Sequence, residues 1–509
     1  MFAHLRGRRW LAWFVLAAGA VIAGHVVGLA ASPPGLYSDE ASIGYNAWTI
    51  AHFGTDQYGT PWPLLFRDFG DYKSPLSTYP LAPLTLFLPL TPTVTRLPSA
   101  FAGIALALVA SLLAWRLTSS RVVALLILLE TAFEPWFFHT ARIDLEADLF
   151  TVLCFVIAFA ALARGGAARV GACVVAGLAV ALATFAAQPG RYFALVMLVL
   201  IVVTHFPTLR WKRAVVLAAP VALAALVLLL GTSGHATARL AGVSVFDHQS
   251  VAGGIAAWIH NYFQYFSPDF LFLHGDPNPR HSSGFGGLLF LTTIPLLVLG
   301  IAVCVRGWRE PMCRLALAGI IVAPLGPALT TGISARRDIV VLPFLILLLT
   351  FGWEAALRFL RGRRLRMLLA GALIAASAGA YLVDYATAYP VRAAHAFDTG
   401  VVPALVAAHR AAGDRTILVS RRIQDLRELA LVALLPAPSP GDVLRQLHMT
   451  LLVAPSQLAA MVPGDVAVLT GADPAPPGSV RIDRETITGP GSLGGPPSTI
   501  VLLDVYVRR

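Results

Sequence analysis

Residues 10–45 read WLAWFVLAAGAVIAGHVVGLAASPPGLYSDEASIGY. The first part, to about Ala31, carries no Asp, Glu, Lys or Arg and is long enough to cross a hydrocarbon core of about 30 Å as a helix. Immediately after it, Gly35-Leu-Tyr-Ser-Asp-Glu-Ala-Ser-Ile-Gly-Tyr45 places two adjacent carboxylates, Asp39 and Glu40, at the edge of the bilayer. Ionised groups there need water, a partner or a substrate, so the pair marks a functional site. Ser38-Asp39-Glu40 also has the composition of a helix start. Arg6, Arg8 and Arg9 precede the run, and no small-residue cleavage site follows it. The reading is a retained first helix rather than a removed signal peptide.

Working outward, ten further apolar runs follow at about 97–116, 122–138, 149–163, 170–187, 192–206, 214–231, 286–305, 315–333, 339–357 and 367–383. The 509 residues are 57% hydrophobic and only 13% charged, with mean hydropathy +0.73. Soluble domains run at about 45–50% apolar and about 25% charged. The expected fold class is therefore an all-α polytopic membrane protein of about eleven transmembrane helices. The runs are continuous rather than alternating, which excludes a β-barrel.

The net charge of +11 and pI near 9.9 reflect topology, not a nucleic-acid partner. With the N-terminus inside, the inner segments hold 18 Arg and Lys and the outer segments before the tail hold 9, the bias expected of cytoplasmic loops. Cys154, Cys173, Cys304 and Cys313 fall in crossings or inner loops, so neither a disulfide framework nor a Cys/His metal site is implied. The expected localisation is the cytoplasmic (inner) membrane.

Residues 1–383 read as one membrane module with outer loops at 32–95 and 232–285. In the first loop Leu76–Leu90 is too short and Pro-rich to span, and reads as a re-entrant or interface-lying helix. Residues 384–509 change character. Strand-length stretches at 416–420, 465–470 and 499–507, separated by polar helical segments and Pro/Gly turns, read as a small C-terminal α/β domain outside the membrane. Trp62, Trp136, Tyr262 and Phe263 read as an interfacial aromatic belt. Glu130 and Glu134 read as packing or helix-pairing groups.

Polar residues gather at the outer ends of the crossings: Asp39-Glu40, Asp68, Asp71-Tyr72-Lys73, Arg142-Ile-Asp144-Leu-Glu146, Arg191, Asp276, Arg280-His281 and Arg336-Arg337. A carboxylate near an acceptor hydroxyl can act as general base. Lys and Arg can hold phosphate oxygens and stabilise a departing phosphate. Arg142, Asp144 and Glu146 can equally form a structural ion-pair network, and Arg336-Arg337 can be interfacial anchors.

The order and spacing of Tyr37-Ser-Asp39-Glu40, Asp71-Tyr-Lys73-Ser-Pro75-Leu76, Arg96-Leu-Pro-Ser-Ala-Phe-Ala-Gly103, Ala141-Arg142-Ile-Asp144 and Tyr265 to Asp276 with Arg280-His281 resemble the GT-C membrane glycosyltransferases. Within them, the chain is similar to bacterial relatives of the protein O-mannosyltransferases and to the lipid A aminoarabinose transferases. The resemblance covers roughly residues 10–385. It implies inverting transfer of a sugar from a polyprenyl-phosphate donor to an acceptor hydroxyl on lipid, polysaccharide or protein of the envelope. It implies Asp39, with Glu40, as the catalytic carboxylates; Lys73, Arg142, Arg191, Arg336 and Arg337 as donor-phosphate ligands; and Tyr72, Asp144, Glu146, Asp276, Arg280 and His281 as cavity or acceptor residues. The chain departs from the pattern in lacking an arginine just after the acidic pair, so that Arg142, Arg191 or Arg336 must supply that contact. Asp39, Glu40 and Asp276 are the residues available to a divalent ion, but the basic surroundings favour a metal-free site. The rival function is a secondary transporter or lipid flippase, which would place ionisable groups and broken helices at the midplane.

Overall fold

The computed structural model describes all residues except 1, 69–70, 207, 232–241, 248, 361, 363, 424–425, 435–442 and 453. Arg239, Arg361 and Arg363, counted above among the loop charges, lie outside the described residues.

The elements run in chain order as α1 (Phe2–Val26), α2 (Ser38–Phe53), β1 (Phe66–Asp68), β2 (Asp71–Lys73), α3 (Pro75–Thr85), α4 (Pro92–Thr118), α5 (Arg121–Phe133), α6 (Pro135–Ala141), α7 (Asp148–Leu162), α8 (Val170–Ala183), α9 (Gln188–His205), α10 (Trp211–Gly231), α11 (Val251–Gln264), α12 (Ile294–Arg306), α13 (Pro311–Val322), α14 (Leu342–Leu360) and α15 (Arg364–Thr387). The C-terminal part adds α16 (Tyr389–Ala393), α17 (Val401–Ala412), β3 (Ile417–Ser420), α18 (Leu426–Ala433), α19 (Val443–Gln446), β4 (Met449–Leu452), α20 (Ser456–Ala459), β5 (Val466–Thr470), β6 (Ser479–Pro490) and β7 (Pro497–Arg508). The chain is a polytopic, mainly helical membrane protein with a small C-terminal α/β domain.

Each of the eleven apolar runs falls on helix. Among the described residues six helical segments are long and apolar enough to cross a membrane, and a seventh is the bent pair α5–α6. The remaining four, at Trp10–Val26, Asp148–Leu162, Val170–Ala183 and Leu291–Arg306, are apolar but shorter. The run at 122–138 is not straight: α5 and α6 meet at 59°. Pro135 lacks an N–H, and its ring forces Glu134 into an extended conformation, φ −60° and ψ 135°, which breaks the helix at that residue. As expected, α3 has only 11 residues, with Pro80 and Pro83 inside it.

The contacts divide the chain into two compact units. Unit 1 comprises 1–27, 64–77 and 98–381; unit 2 comprises 28–63, 78–97 and 382–509. In unit 1 the core collects on α7, α8, α9, α13 and α14, where Phe155 and Phe159 ring-pack with Phe193 and Phe344 at 5.7–6.1 Å. Helices α12 and α14 approach backbone to backbone. A Cβ on Gly300 would lie 2.1 Å from the Leu348 carbonyl oxygen, and one on Gly352 would lie 2.1 Å from that of Leu296. Small residues permit this contact, and in lipid close packing is a main source of helix association. Trp136, expected in the aromatic belt, is instead core, 1% exposed and edge-on to Phe270.

Unit 2 is built on a five-stranded sheet in the order β4-β3-β5-β7-β6. β3 pairs parallel with β4 and β5, with Ile417 opposite Met449 and Val466, while β7 runs antiparallel to β5 and β6. The three expected strands are β3, β5 and β7; β4 and β6 complete the sheet. Helix α2 is part of this unit's core: Ala41 and Tyr45 join Leu405, Leu429 and Val468 in one buried cluster. Its C-terminus closes on Gly54 at φ 70°, whose N–H caps the Ile50 carbonyl at 2.9 Å, the left-handed stop that glycine tolerates best.

Candidate active site

In unit 1 the candidate residues assemble around Glu146. Its Oε1 accepts hydrogen bonds from the Ser74 N–H and Ser74 Oγ, both at 3.1 Å, and from Arg191 at 3.3 Å. Its Oε2 accepts from Arg336 at 2.8 Å. Arg191 also donates to Ser74 Oγ at 2.7 Å and to the Tyr72 carbonyl at 3.1 Å. Arg336 reaches Asp148 Oδ2 at 3.2 Å and the Leu145 carbonyl. Lys73, 3% exposed, lies 4.0 Å from the buried Asp68 carboxylate. One carboxylate thus gathers two arginines and the strand that ends in Lys73.

The backbone that presents Glu146 is strained. Glu146 has φ 113° and Ala147 φ 59°, a region costly for residues with a Cβ. The Asp144 carboxylate braces the turn, accepting from the N–H groups of Glu146 at 3.4 Å and Ala147 at 3.3 Å. Strain of this kind costs about 1–3 kcal/mol per residue and survives only where the surroundings over-determine it, typically at functional sites.

Arg142 and Arg337 also hold backbone carbonyls. Arg142 caps the end of α1, donating to the carbonyls of Gly24 at 2.6 Å and Val27 at 3.0 Å, with Phe138 under its guanidinium. This is the charge expected at a helix C-terminus. Arg337 ties its own loop, donating to Thr330 Oγ1 at 2.7 Å and to the Thr331 carbonyl at 3.0 Å.

Asp276 organises the loop that carries Arg280 and His281. It accepts from the N–H groups of Asn278 and Ala335, both at 2.8 Å, and its Oδ2 lies 3.1 Å from His281 Nδ1. Burial alone would raise the Asp276 pKa, but the bonds from His281, Asn278 and Ala335 outweigh it and hold the carboxyl below its usual value. The neighbouring Asp338 is the opposite case, pushed well above the usual range by burial. Arg280, His281, Arg336, Asp148 and Thr140 line one small pocket.

Unit 2 carries the acidic pair on the first turn of α2, where the helix dipole favours negative charge. Adjacent helical residues point about 100° apart, and the two acids have different surroundings. Glu40, 0% exposed, is gripped by Arg96 through Nε–Oε1 and Nη2–Oε2 bonds of 2.7 Å each, and its Oε2 also accepts from the Tyr37 N–H at 3.2 Å. Arg96 spends its other donors on the carbonyls of Leu29 and Pro33 at 2.7 Å and Gly35 at 3.0 Å. Asp39 is 9% exposed, on a different side of the turn. Among the described residues no group of three or more His, Cys, Asp or Glu side chains is arranged to hold a metal ion.

Of the residues singled out from the sequence, Tyr72, Lys73, Asp144, Glu146, Arg191 and Arg336 come together, and Arg280 and His281 share a pocket with Arg336. Ser74, Asp148 and Arg96 were given no role. The Asp144-Leu-Glu-Ala-Asp148 spacing is the signal that points to Asp148; Ser74 accompanies Lys73 in its motif and is otherwise indistinguishable from any loop serine.

No family model matches the sequence, and no curated protein matches it. Solved structures do match the fold. The apo crystal structure of ArnT from Cupriavidus metallidurans matches with TM-score 0.52 and 15% identity over 98% of both chains. ArnT bound to undecaprenyl phosphate matches with TM-score 0.49 and 14% identity, over 97% of this chain and 98% of that one. The oligosaccharyltransferase AglB of Archaeoglobus fulgidus, in complex with an inhibitory peptide and a dolichol-phosphate, matches with TM-score 0.48 and 13% identity over 84% of this chain. The chain spans only 64% of the length of AglB. The chain thus shares its fold with ArnT.

Proposed function

We propose that this chain, which has the GT-C fold, is an integral-membrane glycosyltransferase that moves one sugar from a polyprenyl-phosphate donor to an acceptor hydroxyl at the outer face of the cytoplasmic membrane, with inversion. The observation that carries the reading is the hub of unit 1: Arg191 and Arg336 held on one strained, buried carboxylate, beside Lys73. Such preorganised cations suit a departing phosphate, because they stabilise charge at the place where it develops.

The sequence resemblance assigns the acceptor's proton to Asp39, which removes it as the acceptor oxygen attacks the anomeric carbon. The bond from that carbon to the carrier phosphate breaks, and its electron pair leaves on the phosphate. Lys73, Arg280 and Arg336 stabilise that phosphate; Arg191 holds Ser74 and Glu146 in place. Glu40, closed by Arg96, orients the turn that presents Asp39. The C-terminal domain and the sites above lie on the extracytoplasmic side in this reading, with acceptors among lipid, polysaccharide or protein of the envelope.

Purified full-length protein in nanodiscs, given a panel of polyprenyl-phosphate sugars and membrane extract, should release polyprenyl phosphate in step with sugar incorporation. No release with any donor would overturn the reading. One observation favours the transporter alternative, namely the helix break at Glu134 beside Glu130 inside the apolar segment. Lipid or ion movement across vesicles without transfer would establish that alternative.

A further inference from the structure

We infer that Glu134 is a positioning residue of the transfer reaction, resting on the function proposed above. Glu134 is 2% exposed and sits at the 59° break between α5 and α6. Its Oε1 accepts from the Phe290 N–H at 2.6 Å and from Thr293 Oγ1 at 2.9 Å. These donors lie just ahead of α12, so the carboxyl group ties the break to the residues that lead into that helix. Two residues on, the Trp136 N–H donates to the Leu288 carbonyl at 2.9 Å. Three hydrogen bonds therefore fasten the break to residues 288–293.

Both segments meeting at this clamp continue into the site of unit 1. Forward from the break, α6 runs only seven residues before Arg142 and the turn with Glu146 at φ 113° and Ala147 at φ 59°. Backward from Phe290, the chain leads to Arg280 and His281, which line one pocket with Arg336 and Asp148. A strained turn relaxes unless its anchors hold it. Asp144 braces it locally; Glu134 fixes the helix that delivers it and, through the same oxygen, the segment that follows the Arg280 loop. The break that Pro135 makes unavoidable is thereby used to fix the separation of two groups of cations. A displacement of about 1 Å at a reacting centre can cost on the order of 10²-fold in rate.

The test compares wild type, Glu134→Ala, Glu134→Gln and Thr293→Val as full-length protein in nanodiscs. Kinetics are taken per folded molecule, and hydrogen exchange is followed at the amides of 142–148. Glu134→Ala should lower kcat by about 10- to 100-fold with donor KM within about twofold. The same variant should speed exchange at 142–148 by about tenfold or more. Gln keeps a carbonyl oxygen in place, so Glu134→Gln should stay near wild type in both readouts. Thr293→Val, which removes one donor and keeps the shape, should move both in the direction of Ala by about threefold; it also decides the matter if the Ala variant fails to fold. Exchange at 142–148 unchanged in Glu134→Ala or, where that variant fails to fold, in Thr293→Val, or Gln behaving like Ala, would overturn the proposal. Should wild type transfer no sugar, the exchange measurements still judge the clamp while the proposed function alone fails.

Discussion

Glu40 in unit 2 and Glu146 in unit 1 are both wholly buried carboxylates with arginine partners, and their surroundings differ in three respects. Glu40 receives one arginine, Arg96, whose five N–H groups are all accounted for by Glu40 and by three backbone carbonyls. Glu146 receives two, and one of these, Arg336, remains 14% exposed and lines a pocket. Glu40 sits on a regular helical turn, whereas Glu146 stands at φ 113°. A closed fork on relaxed backbone reads as architecture; a shared carboxylate on strained backbone, holding cations toward a pocket, reads as chemistry.

The largest expected effect breaks the first half of the comparison. Removing one member of a buried ion pair leaves the other charge uncompensated and costs about 3–5 kcal/mol. Arg96→Ala should therefore abolish recovery of monodisperse protein from detergent, measured by size-exclusion chromatography. If that variant is recovered with an unchanged Tm, the fork is not structural.

Next comes Arg336→Ala, which removes one preorganised cation. Transfer should fall by about 10²-fold while the protein is still recovered as a monodisperse peak, because Arg191 and Ser74 still hold Glu146. Loss of the monodisperse peak, or its recovery with kcat intact, would erase the contrast between the two carboxylates.

Smaller again is Asp276→Asn, at about 1 kcal/mol for the lost charge-assisted bonds. Its sign follows from the depressed pKa of Asp276. The stabilisation is fully present above the unfolded carboxylate value, roughly pH 4, and is lost as pH falls through the lower folded value. The gap in stability between wild type and variant should be flat from neutral pH down to about pH 4 and close below it. The smallest effect is that of Arg337→Ala, whose loop contacts are partly exposed; it should change stability by about 0.5 kcal/mol or less and leave donor KM unchanged. A rise in donor KM would return Arg337 to the phosphate site.

The sequence exposes the apolar runs, the strands of the tail and most of the hub, because lipid solvation and alternating burial write themselves into composition. What it hides depends on contacts distant in the chain. The membership of α2 in the core of unit 2 joins Ala41 to Val468. The run at 122–138 shows its proline, but the clamp that uses the break comes from residues more than 150 positions later. That Arg142 bonds the end of α1, more than 110 positions earlier, is likewise invisible in its local sequence. No residue type announces the φ of Glu146, since that conformation is imposed by its neighbours.

We propose that Asp39 supplies the base for sugar transfer while Glu40, its neighbour, holds the fold. The most direct measurement is the rate of radiolabelled sugar transfer from polyprenyl-phosphate donors by purified wild type and Asp39→Asn, compared at equal amounts of folded protein. Loss of a general base predicts a fall of about 10²- to 10⁴-fold with Tm within a few degrees of wild type. Transfer by Asp39→Asn at near wild-type rate would show that Asp39 is not the base.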